Sequence, residues 1–409
     1  MENKKYLAWF FCCSTSQGFN KMMNTRNLLL DNICKKFEKI YMINFINLKL
    51  FSNKKEKYNF VINKKFKLPN NIEFFTPLNS KDFADFMVGK ELIGIIDLDR
   101  RFADLKLYLL LKKYKIKQVQ ISNIGFVLAE HTSLKNNFWK GVLWKLKKVY
   151  AHKFIVLLSN LGLISKLEIR FTTDSTIVES LKKSRNFYQK IFNYFKLAFA
   201  KETILVNSRA FDLYKMDKIK ASENVIVHLD WNLDDSQFLV FKDPLSRKNI
   251  EKHYIYLERL LKYFSNVYKK KIVVPLHPMD DLKLKKKYFP DFDVVQYQTR
   301  ENILKAFIVF FFETSAIIDA ILLKKKIINL HSDIFDQNQV NINQKLSREI
   351  GILNINIKDE VFTKKDDLLL QLDNITEKYS NHVKTYIAPD GNNLGYEKII
   401  KTIKERFFN

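Results

Sequence analysis

The sequence predicts an α/β protein of two Rossmann-like lobes, each built on a doubly wound parallel sheet, that face a common cleft. Short apolar runs typical of buried strands alternate along most of the 409 residues with longer segments of helical apolar spacing. This alternation is typical of a parallel sheet that carries helices on both faces. Because 47% of the residues are apolar and the chain is too long for one typical core, we expect two lobes.

The first lobe is predicted over residues 1–220 and begins with a buried apolar strand. The first helix is predicted because Leu28, Leu29 and Ile33 fall near one helical face. In chain order, the predicted elements are a strand at 6–13, a helix at 24–37, strands at 39–46 and 92–96, a helix at 102–114, a strand at 118–122, a helix at 180–199 and a strand at 203–207.

The second lobe is predicted over 221–385, after a polar, lysine-rich stretch that marks the boundary. The predicted elements are a strand at 224–229, a helix at 247–268, strands at 271–276 and 292–296, a helix at 299–305, a strand at 307–312, a helix at 314–323 and a strand at 326–330. This order is again that of a doubly wound sheet. The last segment, 386–409, contains a helix at 396–408 that we expect to pack back onto the first lobe.

The amino-terminal segment superficially resembles a signal peptide, because lysines precede the apolar run at 6–13. The run is short and lacks a small-residue cleavage site, which favours a buried first strand. No window reaches the roughly 20 apolar residues that span a bilayer. The three cysteines, Cys12, Cys13 and Cys34, are too few for a disulfide framework and favour a reducing compartment. We therefore expect a cytoplasmic protein.

The formal net charge of +26 raises the question of nucleic-acid binding. Lysines are spread over the whole chain and no RNA-binding fingerprint occurs, so we expect no nucleic-acid partner. A basic helical insertion at about 134–170 interleaves lysines with aromatic residues such as Trp139 and Trp144. It is either a pair of packing helices with solvated lysines or an interfacial segment that seats the protein peripherally on an anionic membrane surface.

The strongest local feature of the second lobe is His277-Pro278, directly after the predicted strand at 271–276. In open α/β sheets, ligands bind beyond the carboxyl ends of the strands. Proline restricts His277 to an extended conformation, and an imidazole placed there can donate a hydrogen bond to a phosphate oxygen. The alternative is a histidine that only caps the strand end.

A second polar feature, Glu313-Thr314-Ser315, follows the strand predicted at 307–312, and its hydroxyl residues begin a predicted helix. Hydroxyls and free backbone N–H groups at a helix start bind anions, with support from the helix dipole. The alternative is an ordinary Ser/Thr N-cap. Because this feature and His277-Pro278 both follow strands of one sheet, they are predicted to face the same crevice.

Three segments between residues 203 and 332 resemble a family of bacterial surface-polysaccharide glycosyltransferases of the GT-B fold, distantly similar to polysialyltransferase-like enzymes. They are NVIVHLDWNLDD, DPLSRKNIEKHYIYLERLLKYFSNVYKKKIVVPLHPMDD and TRENILKAFIVFFFETSAIIDAILLKKKIINL. The resemblance implies that His277 contacts the donor phosphate and that Thr314 and Ser315 bind the nucleotide part. It also implies that Leu229-Asp230 lies beside the cleft.

The sequence departs from this family pattern at two places. Glu313 stands where family members often carry a small or hydroxylated residue. Met279-Asp280-Asp281 follows His277-Pro278 where the family often has Arg or Lys, which removes a cation from the expected phosphate site. The missing cation leaves a non-catalytic scaffold of polysaccharide assembly open as an alternative. A nucleotide-sugar epimerase of the same two-lobe plan is a further alternative, which would act on a soluble small substrate without an acceptor.

In the first lobe, an inverting transfer needs a carboxylate or histidine to take the proton of the acceptor hydroxyl. The candidates are Asp97 and Asp99, which follow a predicted strand, and Glu130 and His131 after the next one. The alternatives are a helix N-cap for Asp99 and a surface loop for Glu130 and His131. The pattern Asp-Leu-Asp also resembles a DxD motif that holds a divalent cation against a nucleotide diphosphate. The two-lobe plan makes this the weaker interpretation.

These observations favour a glycosyltransferase that moves a sugar from a CMP- or UDP-linked donor to a glycan or lipid-linked acceptor. We expect no metal and no cofactor besides this donor. We expect the product to be a capsule, an O-antigen or a lipooligosaccharide, made at the inner face of the inner membrane. Four other polar residues are expected to have ordinary surface roles: Asp174, Asp212, His228 and His331.

Overall fold

The computed structural model divides the described residues into two compact units. Those up to 209, together with those from 388 onward, form the first unit, and those from 210 to 387 form the second. The structure describes residues 4–13, 16–48, 69–97, 104–122, 154–155, 157–159, 161–176, 178–179, 200–217, 222–230, 247–276, 280–312, 314–332, 337–358 and 379–409. No helix within these ranges is long and apolar enough to cross a membrane.

Strands and helices alternate in both units. The first unit contains β1 (Lys4–Phe11), α1 (Ser16–Cys34), β2 (Ile40–Asn44), a 3-10 turn (Ile46–Leu48), β3 (Ile72–Phe75), α2 (Ser80–Met87), β4 (Lys90–Asp97), α3 (Leu105–Lys113), β5 (Lys117–Ser122), β6 (Leu167–Thr172) and β7 (Ala200–Leu205). From α4 (Arg209–Met216) the chain continues through β8 (Val225–Leu229), α5 (Arg247–Tyr268), β9 (Lys271–Leu276), α6 (Leu282–Tyr288), β10 (Asp293–Gln296), α7 (Thr299–Leu304), β11 (Ala306–Phe311), α8 (Ile317–Leu322), β12 (Lys326–His331), α9 (Gln337–Ile350), β13 (Leu353–Asn356), α10 (Tyr379–His382) and a π-helical turn (Val383–Ile387). It ends in the first unit with α11 (Gly395–Phe407).

The strands of the first unit form one parallel sheet in the order β3-β2-β1-β4-β5-β6-β7. The chain moves outward from β1 on one side and from β4 on the other. The topological switch point of this sheet therefore lies between β1 and β4. These two strands pair side by side, with Phe11 next to Asp97 at the carboxyl end.

Apolar side chains cover both faces of the first sheet, as a parallel sheet with helices on both sides requires. Trp9 and Phe11 face the core that contains α1 and α11, whereas Ala8 and Phe10 face the core that contains α2 and α3. Gly94 of β4 makes room for this packing, because a Cβ there would lie 2.7 Å from the Phe10 ring.

The predicted helical insertion at 134–170 is wrong at its carboxyl end, where the chain forms β6. Leu167, Ile169 and Phe171 are buried and alternate with the partly exposed Glu168 and Arg170, which is a strand period of two. The described residues at 154–155 and 157–159 are helical. Positions 134–153 lie outside the described residues.

The start of α11 is fixed on the first unit by Asn207, which follows β7. The Asn207 side chain donates to the backbone oxygens of Gly391 at 2.9 Å and Asn393 at 2.6 Å, and accepts from the N–H of Asp390 at 2.9 Å. A Cβ on Gly395 would lie 2.2 Å from the backbone oxygen of Asn207. The first turn of α11 is therefore packed closely against the backbone that follows β7. Four side chains of α11 are buried in the core of the first unit: Ile399, Ile400, Ile403 and Phe407.

The strands of the second unit form a second parallel sheet, in the order β10-β9-β8-β11-β12-β13. Its switch point lies between β8 and β11, where Leu229 is next to Phe311 at the carboxyl end. The predicted fold class, two Rossmann-like doubly wound α/β lobes, is confirmed by the two sheets. The bounds of α5 and β9 are also those predicted from apolar spacing.

Replacing Gly395 with alanine is expected to lower the free energy of unfolding by about 1–3 kcal/mol, because backbone must move to relieve the contact with Asn207. Urea unfolding followed by circular dichroism measures the change. Lys401→Ala on the exposed face of the same helix is the matched control and is expected to change stability by less than about 0.5 kcal/mol. Equal effects of the two variants would contradict the close packing at the start of α11.

Candidate functional site

Two places in the structure meet the geometric condition for a ligand site in an open α/β sheet. They are the carboxyl ends of β1 and β4 and the carboxyl ends of β8 and β11. At each place neighbouring strands connect in opposite directions, which leaves a crevice outside the edge of the sheet. Four residues predicted from the sequence to belong to the site lie at these ends: Asp97, Asp230, Thr314 and Ser315.

Asp97 is the last residue of β4, at the switch point of the first sheet. Its carboxylate accepts two long hydrogen bonds from Arg26 of α1, from Nε to Oδ2 at 3.4 Å and from Nη2 to Oδ1 at 3.5 Å. The Asp97 side chain is 32% exposed, so part of it faces solvent. A carboxylate in this setting has lone pairs with which to accept a hydrogen bond from a hydroxyl.

Asn44 shapes the same edge from the end of β2. Its buried side chain accepts from the N–H of Cys13 at 3.0 Å through Oδ1 and donates to the carbonyl of Cys13 at 2.9 Å through Nδ2. Oδ1 also accepts from the N–H of Ile46 at 3.3 Å. One amide therefore ties the chain that leaves β1 to the chain that leaves β2. No role for Asn44 was predicted from the sequence.

A buried ion pair lies at the carboxyl end of β8. Oδ2 of Asp230 is 2.8 Å from Nζ of Lys285 in α6, and both side chains are 1% exposed. Lys285 also donates to the hydroxyl of Tyr254, which lies 3.5 Å from the same carboxylate oxygen. On the other side, Nε2 of His228 is 3.5 Å from Oδ1. The end of β8 is thus held to α5 and α6 by charged and polar groups.

The surroundings of Asp230 favour its ionised form. Burial alone would raise the pKa of Asp230, but the positive charge of Lys285 and the nearby His228 lower this pKa to about 2. His253, on the neighbouring α5, behaves differently, because burial lowers its pKa to about 3 and keeps the ring neutral. The rings of His253 and His228 pack near Phe312, at centroid distances of 5.1 Å and 5.8 Å.

In this arrangement the Asp230 carboxylate points into the interior of the second unit. Its oxygens are enclosed by protein, and its main interaction is with Lys285. Asp230 therefore lies at the predicted sheet edge, and its buried ion pair with Lys285 fixes the end of β8 against α6. Removing either partner of such a pair leaves a buried charge without compensation.

Thr314 and Ser315 follow β11, which pairs with β8 at the switch point. Oγ1 of Thr314 accepts from the N–H of Ala316 at 3.3 Å, so this hydroxyl caps the turn that leads into α8. The helix itself begins at Ile317, three residues later than predicted. Ser315 is exposed. Both hydroxyls keep a hydrogen that can be donated to an acceptor such as a phosphate oxygen.

The other predicted site residues lie outside the residues that the structure describes, so their roles stay predictions. They are Asp99, Glu130, His131, His277, Pro278 and Glu313. The described chain stops at Leu276 before His277-Pro278 and resumes at Asp280.

The partners of Asp230 were not predicted from the sequence. The expected surface roles of His228 and Asp212 are wrong, because both residues are buried, and no role was assigned to Lys285. A signal was present in the spacing: Lys285 stands three residues after Leu282 and four before Phe289, on the apolar stripe of α6. A lysine on such a stripe is expected to be buried only where it has a charged partner.

No protein-family model matches the sequence, and no curated protein is significantly similar to it. A Listeria monocytogenes protein assigned as a UDP-N-acetylglucosamine 2-epimerase matches with a TM-score of 0.51 at 9% identity, over 98% of this chain and 96% of its own. S. aureus MnaA bound to UDP matches at 0.49 and 10% identity, over 98% and 96% of the two chains. The calicheamicin glycosyltransferase CalG4 matches at 0.49 and 10% identity, over 100% of both chains. At such identities the likeness to the first of these shows the fold alone, which is the two-sheet GT-B fold.

Lys285→Met is expected to lower the free energy of unfolding of the second unit by about 3–5 kcal/mol, because it leaves the buried Asp230 carboxylate uncompensated. The double variant Lys285→Met/Asp230→Leu removes both charges and is expected to recover most of this loss. Urea unfolding at neutral pH gives the comparison. Lys286→Met, on an exposed position of the same helix, is the control. If Lys285→Met is as stable as Lys286→Met, the buried Asp230–Lys285 pair does not contribute the expected free energy of unfolding.

Acid is expected to destabilise the second unit through two histidines. Burial lowers the pKa of His253 to about 3 and that of His382 to about 4, so both rings stay neutral in the folded state below pH 6.5 while the unfolded chain takes up protons. The stability is complete above pH 6.5 and falls by about 1.4 kcal/mol per pH unit for each ring as the pH drops toward 4.

His253→Leu and His382→Leu are each expected to reduce this slope by about one proton. Urea midpoints measured from pH 8 to pH 4.5 test the expectation, and the range above pH 7 serves as the internal control. An unchanged slope in both variants would contradict the neutral, buried state of the two rings.

Proposed function

We propose that the protein is a glycosyltransferase that moves a sugar from a nucleotide-sugar donor to a surface-glycan acceptor. The observation that carries this proposal is the switch point of the second sheet, where Thr314 and Ser315 follow β11 beside the end of β8. In open α/β folds, the crevice at this point is where nucleotides bind. The Asp230–Lys285 pair supports the site by fixing one wall of it.

In the proposed donor site, Thr314 and Ser315 donate hydrogen bonds to the nucleotide part of a CMP- or UDP-linked sugar. His277 follows β9 directly in the sequence, and its imidazole donates to a phosphate oxygen and balances the charge of the departing nucleotide. Pro278 restricts the backbone conformation of His277, and Glu313 accepts a hydrogen bond from a hydroxyl group of the nucleotide sugar. Asp230 acts through the position of the β8 end, since its carboxylate is buried.

The first switch point supplies the general base of the proposed reaction. Asp97 is partly exposed at the end of β4, and Arg26 orients its carboxylate. A carboxylate so placed can take the proton of an acceptor hydroxyl while the sugar moves to that oxygen. Asp99, Glu130 and His131 are further candidates for this role. The proposed reaction uses no metal and no cofactor besides the donor.

The proposed acceptor is a growing capsule, O-antigen or lipooligosaccharide chain, or its lipid-linked precursor. This part of the proposal rests on the resemblance of residues 203–332 to surface-polysaccharide glycosyltransferases. The excess of positive charge favours an acidic acceptor or an anionic membrane. We place the enzyme in the cytoplasm, peripherally at the inner face of the inner membrane.

A second candidate function is the epimerisation of a nucleotide sugar. It is favoured by the match in fold to the Listeria monocytogenes protein assigned as a UDP-N-acetylglucosamine 2-epimerase. An epimerase converts its donor without an acceptor, whereas a transferase releases nucleotide only when an acceptor is present. Incubation with UDP-N-acetylglucosamine alone, followed by chromatography of the sugar, separates the two functions.

Binding of the correct donor nucleotide is expected to raise the unfolding temperature of the protein. A ligand at one hundred times its dissociation constant adds about 2.7 kcal/mol to the stability. The measurement is thermal unfolding with CMP, UDP, GDP and dTDP and their sugars, with and without magnesium. A metal-independent shift with CMP or UDP compounds is expected. No shift with any nucleotide would contradict the proposed donor site.

Substitutions of Thr314, Ser315 and His277 test whether the nucleotide-sugar donor binds at these residues. Thr314→Val/Ser315→Ala is expected to weaken nucleotide binding by about tenfold or more, through lost hydrogen bonds to charged groups. His277→Ala is expected to remove most transfer activity and leave the unfolding temperature of the free protein unchanged. Thr402→Ala on α11 is the matched control and should bind and transfer normally. Full activity in His277→Ala would contradict its assignment.

A further inference from the structure

Large apolar side chains are exposed together at one place on the first unit. Among the described residues, eleven large hydrophobic side chains are exposed, and four of them fall within ten positions of the chain. These four are Phe154, Leu157, Leu161 and Leu163. Single exposed hydrophobic residues are ordinary, but a contiguous group of them marks an interaction surface.

The chain presents these side chains on a helical turn that is apolar on two sides. Leu157 and Leu161 lie on one helical face and are 41% and 64% exposed, whereas Ile155 on the opposite side is fully buried in the core of the first unit. A helical segment that only covered its own core would carry polar residues on the outer face. The outer face here is therefore available to a partner.

A Schellman motif fixes the end of this turn. The N–H of Leu163 bonds to the carbonyl of Leu158 at 2.8 Å, and the N–H of Gly162 bonds to the carbonyl of Ser159 at 3.1 Å. Gly162 adopts a φ of +71°, which a left-handed cap requires. The residue after the cap usually packs back on its helix, but Leu163 is 50% exposed and Leu161 is 64% exposed. The cap thus holds two leucines out from the surface.

Leu161 and Leu163 form an apolar tip at the end of this turn, and lysines of α3 lie beside it. Nζ of Lys112 donates to the carbonyl of Gly162, which joins the exposed face of α3 to the leucines. Lys113 is exposed on the same helix, and Leu109, one turn earlier, is an exposed leucine that extends the apolar group. Apolar side chains that project from a surface, with ammonium groups next to them, match the boundary between acyl chains and anionic headgroups.

We infer that Leu109, Leu157, Leu161 and Leu163, with Lys112 and Lys113, form a docking surface for a bilayer that contains anionic phospholipid. The leucines enter the headgroup–acyl boundary and the lysines contact phosphate oxygens. A second copy of this chain is disfavoured as the occupant, because a two-fold interface would bring the lysines of both copies together in a protein of net charge +26. The inference rests on the proposed function only for the peripheral location, since lipid binding needs neither donor nor transfer.

Sedimentation with lipid vesicles tests the docking surface. The intact protein is expected to bind vesicles of phosphatidylcholine mixed with phosphatidylglycerol and to bind pure phosphatidylcholine weakly. Leu161→Ser/Leu163→Ser is expected to lower the partition coefficient by about tenfold, because two partly exposed leucines no longer enter the bilayer. Val88→Ser/Ile255→Ser replaces two isolated side chains that are 76% and 62% exposed, and is expected to bind as the original protein does.

Two outcomes would overturn the inference. If both double variants bind anionic vesicles equally well, general positive charge and not the apolar tip accounts for binding. If the original protein forms a dimer without lipid and Leu161→Ser/Leu163→Ser makes it monomeric without changing vesicle binding, the surface serves a second copy. The nucleotide-induced shift in unfolding temperature is measured without lipid. A failure of the donor proposal is therefore distinguishable from a failure of the membrane inference.

Discussion

Parallel pairing at two strand junctions, β1 with β4 and β8 with β11, is the constraint on which the rest of the structure depends. Each junction reverses the direction in which the chain crosses its sheet, so each opens a crevice at the carboxyl edge. The strands that meet there are almost entirely apolar because helices cover both faces. The candidate site residues Asp97, Asp230, Thr314 and Ser315 lie at or just beyond the carboxyl ends of these strands.

The Asp230–Lys285 pair shows how one of these edges is made rigid. Burying two charges costs several kcal/mol per ion, and their attraction in a weakly polar interior offsets this only when the geometry is good. The distance of 2.8 Å and the neighbouring Tyr254 and His228 provide that geometry. Such a pair adds little to stability over an apolar pair of similar volume. Its use lies in fixing where β8 ends relative to α5 and α6.

The first unit places its polar and apolar surfaces in different parts of one fold. Its carboxyl edge carries Asp97 with Arg26, and Asn44 ties the neighbouring loop. The apolar tip at Leu161 and Leu163 is built on the helical turn that precedes β6, with its inner side in the core. The proposed base and the proposed docking surface therefore lie on separate elements of the first unit, one at the end of β4 and the other at a capped helical turn.

The sequence by itself determined the fold class and the position of most elements. The bounds of α5 and β9 follow from local apolar spacing, because periodicity encodes helix or strand within a single segment. The four-residue strand β3 and the strand β6 inside a basic stretch were missed, since short or lysine-flanked runs carry a weak periodic signal. For the site, the sequence placed Asp97, Asp230, Thr314 and Ser315 at strand ends. Only the tertiary structure decided that β8 lies beside β11 and that Lys285 reaches Asp230, because these contacts join segments far apart in the chain.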